Sequence, residues 1–324
     1  MERITATAEI EIDGQYRALR EEAGLVLRPE RGLLTVGGTE GAEYLQGQLT
    51  NEIEALGPGE GCYSALLDRK GKMQGDMRVL RIAADQILIE TEPSALAAVS
   101  RHLGTYKIGR EVEIEDIGSE RAILSLIGPA SSERAGTPPL VAEHAHATFE
   151  RDGIGSRAVA TDVGVDLIVA ASEADGLRRS LLAAGLAEAG EEAAEIVRVE
   201  NGRPRFGAEM TTETIPQEAG INERAISFEK GCYIGQETVA RLHYKGKPNR
   251  HLRGLRLSAP VAAGAPVRLG ERDAGRVGTA VLSPAFGPIA LAILRREAEP
   301  GASVEVGEDG ATAEVVEVPF ERIT

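Results

Sequence analysis

The stretch ISFEKGCYIGQETVARLHYKGKPNR, residues 226–250, sets Cys232 between a basic residue, Lys230, and an aromatic one, Tyr233, just before what reads as a helix start. Gly235, Gln236 and Glu237 sit where a helix can begin and TVARL continues it, so Cys232 lies ahead of backbone N–H groups that carry partial positive charge. Lys230 and Arg241 add full charges if the fold brings them near. Both effects favour thiolate over thiol, the state in which cysteine is a nucleophile. The plainer reading is a small buried hydrophobe. The residues alone leave both open.

Glu200 is the second candidate, placed in RVENGRP at the end of a helix-like run and at the start of a long irregular stretch. A lone glutamate is ordinarily a solvated surface acid. Its aromatic neighbours qualify that reading, because four of the chain's Phe and Tyr residues (Phe206, Phe228, Tyr233 and Tyr244) fall between 206 and 244. Beside a carboxylate and a basic strip they fit a flat heterocycle with an anionic tail, and they fit an interdomain core equally well. His144 and His146 form H-x-H without a carboxylate or cysteine pattern beside them, which reads as two solvated loop histidines and predicts no metal site. Phosphate-loop, dinucleotide, nucleophile-elbow and H-E-x-x-H signatures are all missing.

These residues need a scaffold, and 324 residues suffice for about two domains with their own cores. Two cysteines far apart, Cys62 and Cys232, give neither a disulfide framework nor a zinc pair, which fits a reduced, cytoplasmic protein. The amino-terminal text does not read as a leader, and no apolar run approaches a membrane span. A net charge of −15 argues against nonspecific nucleic-acid binding. Locally the sign reverses: from Thr238 to Arg256 there are Arg241, Lys245, Lys247, Arg250, Arg253 and Arg256, with no Asp or Glu.

Short strand-like runs (GLLTVGG, GCYSALLD, MRVLRI, QILIET, VEIEDI, RAILSLIG, RAVATDV, VDLIVA) alternate irregularly with helix-like ones after Thr39, from Pro93 to Gly104, and in SEADGLRRSLLAAG and EEAAEIVRVENG. That pattern predicts an α+β fold rather than a doubly wound sheet. The segment 202–220, with Pro204, Gly207 and Pro216, reads as a long functional loop. Beyond Lys247 the text becomes short alternating strands with turns, a small β-barrel. The expected division is 1–246 and 247–324.

KGCYIGQETVAR (230–241) resembles the signature of the YgfZ-type folate-binding proteins, relatives of the aminomethyltransferase T-protein of glycine cleavage. GAEYLQGQLTNEI (41–53), GCYSALLDRKGKMQGDMRV (61–79) and RVENGRPRFGAEMTTETIPQEAG (198–220) are similar to consecutive segments of the same family, so the resemblance covers nearly the whole chain. It implies a folate-binding α+β body of two interwoven subdomains with a C-terminal β-barrel, tetrahydrofolate as cofactor, and iron–sulfur enzymes or cluster-assembly proteins as partners. It gives the pterin contact to Glu200 and places Asp76 near the reactive edge of the folate. The candidate reactive residues are therefore Cys232, Lys230 and Asp76, and the candidate folate-binding residues Glu200, Arg241, Tyr233 and Asn51. Where the transferases carry adjacent aspartates, Gly75 precedes Asp76 here, which weakens aminomethyl transfer as the activity. That activity stays as one alternative, and a noncatalytic folate sensor or adaptor as another.

Overall fold

The computed structural model describes residues 2–321. The chain divides into two compact units, and it passes between them several times: 2–66, 74–194 and 225–234 form the first, and 67–73, 195–224 and 235–321 the second.

The first unit contains two sheets. One has five strands in the order Gly61–Leu67, Met73–Ala83, Gln86–Thr91, Gly32–Gly37 and Glu113–Asp116. The other has six, in the order Ala187–Glu188, Gly24–Arg28, Arg121–Ile127, Gly164–Ala170, Ile154–Thr161 and His146–Arg151. Strand alternation explains how they pack. Ile123, Val159 and Ile168 of the second sheet cluster with Leu33, Leu80 and Leu88 of the first. Leu124, Leu126, Val165 and Leu167 pack instead with Leu177 and Leu181 of the helix Ala174–Ala183. Arg121–Ile127 is thus buried on both faces, which is why RAILSLI reads as a continuous apolar run.

One ion network stitches these sheets. Arg78 donates to Glu90 and also pairs with Asp166, each at 2.7 Å, while Arg31 bridges Glu90 and Glu92. Burial pushes the Glu90 carboxyl up, but the two guanidinium groups prevail and hold it at about 2. The helix Pro93–Tyr106 packs Ala95 and Val99 against Gly75, where a Cβ would come within 2.9 Å of Ala95 Cβ and 3.0 Å of Val99 Cγ2. A larger residue beside Asp76 would therefore push this helix away.

The second unit is built on a closed barrel in the order Arg250–Leu257, Gly287–Arg295, Arg272–Ser283, Pro266–Leu269, Ser303–Val306 and Ala311–Val316. Leu255, Val267, Leu294 and Val315 are among the side chains filling it. All six strands lie beyond residue 247, and the unit also takes in the turn 67–73, the segment 195–224 and the helix Gln236–Lys245.

The α+β expectation and the C-terminal barrel both stand. The amino-terminal text forms a helix, Glu2–Glu21. Two local readings are corrected. The helix from Pro93 runs through Gly104 to Tyr106. His144 and His146 are buried rather than solvated, and His146 opens a strand. Arg157 can only donate, so its bond to His146 Nδ1 at 2.9 Å fixes Nε2 as the protonated nitrogen, facing the Glu60 carbonyl at 3.2 Å. Burial, then the Arg157 charge, pulls this imidazole down to about 4 and keeps it neutral. Among the described residues no helix is long and apolar enough to cross a membrane.

Candidate functional site

The first unit brings Asp76, Asn51, Lys230 and Tyr233 into one connected constellation, with Tyr63 as a member that sequence reasoning missed. Asp76 lies in the strand Met73–Ala83 and is 8 % exposed. The Tyr63 hydroxyl donates to its Oδ2 at 2.5 Å, and the Thr91 hydroxyl holds its backbone carbonyl at 2.6 Å. Oδ1 is buried and has no hydrogen-bond partner among the described residues. Burial pushes the carboxyl up to about 6, with Glu92 adding to the rise and Tyr63 and Arg31 opposing it. A carboxyl at that value exchanges a proton easily near neutrality.

Asn51 fixes the other end of Tyr63. Its amide donates to the Tyr63 carbonyl at 2.8 Å and its backbone N–H donates to Ser64 Oγ at 3.0 Å. Its own carbonyl accepts from Lys230. The Lys230 ammonium spends all three protons on main-chain oxygens, those of Gln46 (2.7 Å), Leu49 (2.8 Å) and Asn51 (2.7 Å). These carbonyls lie at and just past the end of the helix Gly41–Gln48, where unpaired carbonyls concentrate negative charge. Burial pulls the ammonium down to about 8 against the Glu52, Cys62 and Glu54 charges that raise it. Tyr233 is buried with its ring 5.4 Å from Lys230 Nζ, and burial pushes its hydroxyl up to about 12.

The two cysteines differ sharply in access. Cys232 is exposed, whereas Cys62 is only partly accessible and its thiol points at the Glu52 carbonyl, 3.7 Å away. Burial pushes Cys62 up to about 12, with Lys230 lowering it and Glu52 raising it. In native protein at pH 8, iodoacetamide is therefore expected to modify one thiol, and intact mass should show that Cys232→Ser abolishes this and Cys62→Ser does not. Equal labelling of both thiols before urea is added would contradict the assignment.

In the second unit Glu200 closes the helix Glu191–Glu200 and is 1 % exposed, so the solvated-acid reading fails. The Ser283 hydroxyl donates to Glu200 Oε1 at 2.6 Å, and the N–H groups of Ala285 and Phe286 donate to Ser283 Oγ, both at 3.0 Å. Ser283 holds the Glu200 carboxylate and has no sequence signal beyond its place before Pro284 at a strand end. Tyr63 lies in the strand Gly61–Leu67, which the turn closed by Asp68 N–H to Lys72 O joins to the strand of Asp76. Arg241 is exposed on the helix Gln236–Lys245.

Residues 5–139 match the GCVT N-terminal domain model. The fold is that of a solved glycine cleavage system aminomethyltransferase T from Bartonella henselae, with a TM-score of 0.84 at 22% identity over 96% of this chain and 89% of that one. An aminomethyltransferase from Rubrobacter xylanophilus is 29% identical over 96% of this chain and 86% of its own. Those matches define the class, a T-protein-like fold. Within it, the tRNA-modifying protein YgfZ of Vibrio vulnificus is 32% identical over 78% of this chain and 75% of its own length, and the chain belongs to the YgfZ family.

Proposed function

We propose that the protein binds tetrahydrofolate and serves as an accessory factor in making or repairing iron–sulfur proteins, with Cys232 as its exposed reactive group. The observation that carries this reading is Asp76: a buried carboxyl raised to about 6 with one oxygen lacking any donor among the described residues. A pteridine presents N–H donors, and an acceptor-only carboxylate such as that of Glu200 matches them. The chain's residues therefore fit the cofactor. Bound folate would supply a carrier for a one-carbon unit. Asp76 would hold or take up a proton at Oδ1, oriented through Tyr63. Ser283 would aim Glu200, Asn51 and Lys230 would fix the surrounding backbone, and Arg241 would offer charge to the folate's anionic tail. The name of the Vibrio relative puts tRNA modification among the processes such clients could serve.

Calorimetry with tetrahydrofolate tests this directly. Glu200→Gln is expected to weaken binding by about tenfold or more, because one acceptor becomes a donor facing a donor. Equal affinity would remove Glu200 from the site. A second reading, aminomethyl transfer from an amine, is favoured by the same Asp76 and by the fold. Robust folate-dependent consumption of an aminomethyl donor would establish it in place of the accessory role.

A further inference from the structure

The second unit carries a cationic face that the folate reading does not use. In the helix Gln236–Lys245, Val239 is buried, while Tyr244 and Lys245 project on the opposite, exposed side. Tyr244 is 68 % exposed, with its ring 4.8 Å from that of His243 in an edge-on arrangement. Against the start of this helix lies the turn 68–72. A Cβ on Gly71 would come within 2.9 Å of Thr238 Cβ, and one on Gly235 within 2.6 Å of the Asp68 carbonyl. The Asp68 carboxylate accepts the N–H groups of Lys70 and Lys72 and so shapes the turn, which leaves Arg69 and Lys70 exposed. Past the helix come Lys247 and Arg250, also exposed.

None of Arg69, Lys70, Lys245, Lys247 and Arg250 has an ion pair within 4 Å among the described residues, whereas Lys72 is paired with Glu213 and Arg296 with Glu297. Carboxylates near the face are Asp68, which is turned onto the N–H groups of its own turn, Glu213, which is paired with Lys72, Glu237, one turn before Arg241 on the same helix side, and Glu218, whose charge meets that of Arg250. Arg250 sits directly opposite Arg295 on the neighbouring strand, a like-charge pair that an added anion would relieve further. Arg241 shares the helix side and is left to the folate tail.

We infer that this face binds a single-stranded segment of RNA, with Arg69, Lys70, Lys245, Lys247 and Arg250 on phosphates and the Tyr244 ring stacked on a base. This goes beyond the folate reading and does not depend on it. The buried core of a protein–protein interface is typically more apolar than the surrounding surface. Among the described residues Tyr244 is the large exposed hydrophobic side chain on this face, since Leu27, Tyr106, Ile108 and Val141 belong to the first unit and Leu282 to the barrel end. Spaced cations around one exposed ring match a nucleic-acid strand, in which phosphates repeat and every base offers a flat surface. The net charge of −15 opposes binding at long range, but at physiological salt fields fade over about 8 Å and the local sign dominates contact.

The test uses the full chain, a fluorescein-labelled 12-nucleotide oligouridylate, and a labelled decaglutamate peptide, with anisotropy read from 50 to 200 mM KCl. RNA binding is expected to fall with a log–log salt slope between about −2 and −3.5, since single strands give about −0.7 per phosphate contact and about three to five of the five cations each engage one at a time. Tyr244→Ala should weaken RNA binding about fivefold or more, the low end for one stacked base, and change decaglutamate binding less than about twofold. The Lys245→Ala/Lys247→Ala double variant should weaken both. Tetrahydrofolate affinity of Tyr244→Ala should equal that of the parent, which separates this result from the fate of the folate reading. No RNA binding at 50 mM KCl overturns the inference, as does an RNA affinity indifferent to Tyr244. Decaglutamate binding as tight as RNA overturns it too, and marks the face as a dock for acidic proteins.

Discussion

Asp76→Asn is expected to stabilise the protein at pH 8 while removing the one-carbon chemistry proposed for this carboxyl. In the folded state the carboxyl titrates near 6, pushed up chiefly by burial, against an ordinary value of 3.8. Between those values the folded chain holds the proton that the unfolded chain has released, so stability falls as pH rises from about 4 to 6 and stays lowered above that. The shift corresponds to about 3 kcal/mol of penalty on the charged form. Asparagine never ionises and can still accept from Tyr63 through its oxygen. The variant should therefore match the parent near pH 4 and exceed it by about 2–3 kcal/mol at pH 8 in urea denaturation, provided the new amide finds room where Oδ1 stood. A difference independent of pH would show that the carboxyl is not held protonated. Any one-carbon turnover that uses this proton should drop by a factor of about 10² to 10⁴.

That pairing of gained stability with lost chemistry is the expected mark of a functional group held against its own preference. It also explains which parts of the molecule the amino-acid text made readable. Strands such as Arg121–Ile127 and helices such as Ala174–Ala183 carry an unbroken apolar run or stripe, and burial follows the pattern. The barrel was readable for the same reason, through short alternating strands such as Ala311–Val316.

What stayed hidden depends on contacts distant in sequence. Glu200 ends an amphipathic helix, where a polar residue is normally wet, yet it is buried and accepts from Ser283 on a barrel strand. Lys230 suggested a partner next to it in the chain, Cys232. A long side chain chooses by packing, however, and this one reaches oxygens as much as 184 residues away. Gly75 before Asp76 reads as the loss of a second acid, and packing supplies its reason, since Ala95 and Val99 occupy the space a side chain would need. The exchange of segments between the two units, with 67–73 and 195–224 joining the barrel, has no local signature at all.

Lys230→Met should destabilise the protein by about 3 kcal/mol or more at pH 7, through oxygens rather than through the thiol. The methionine keeps most of the stem's volume and gives up the ammonium, including its position 5.4 Å from the Tyr233 ring, so the loss reports on that group. Three carbonyls around the end of the helix Gly41–Gln48 would lose their donor together, and a buried acceptor left unmade costs about 1–3 kcal/mol each, less whatever water recovers. The segment 225–230 is otherwise tied to this corner through Thr50, whose hydroxyl donates to the Ala225 carbonyl at 2.6 Å and whose own carbonyl accepts the Ser227 N–H at 3.1 Å. Loss of the ammonium should therefore loosen 226–234 first, and limited proteolysis should cut there in the variant under conditions that spare the parent. If the variant unfolds within 1 kcal/mol of the parent and resists cleavage equally, the clasp is not what holds this loop. In that case a change in Cys232 alkylation rate at unchanged stability would give Lys230 back its role toward the thiol.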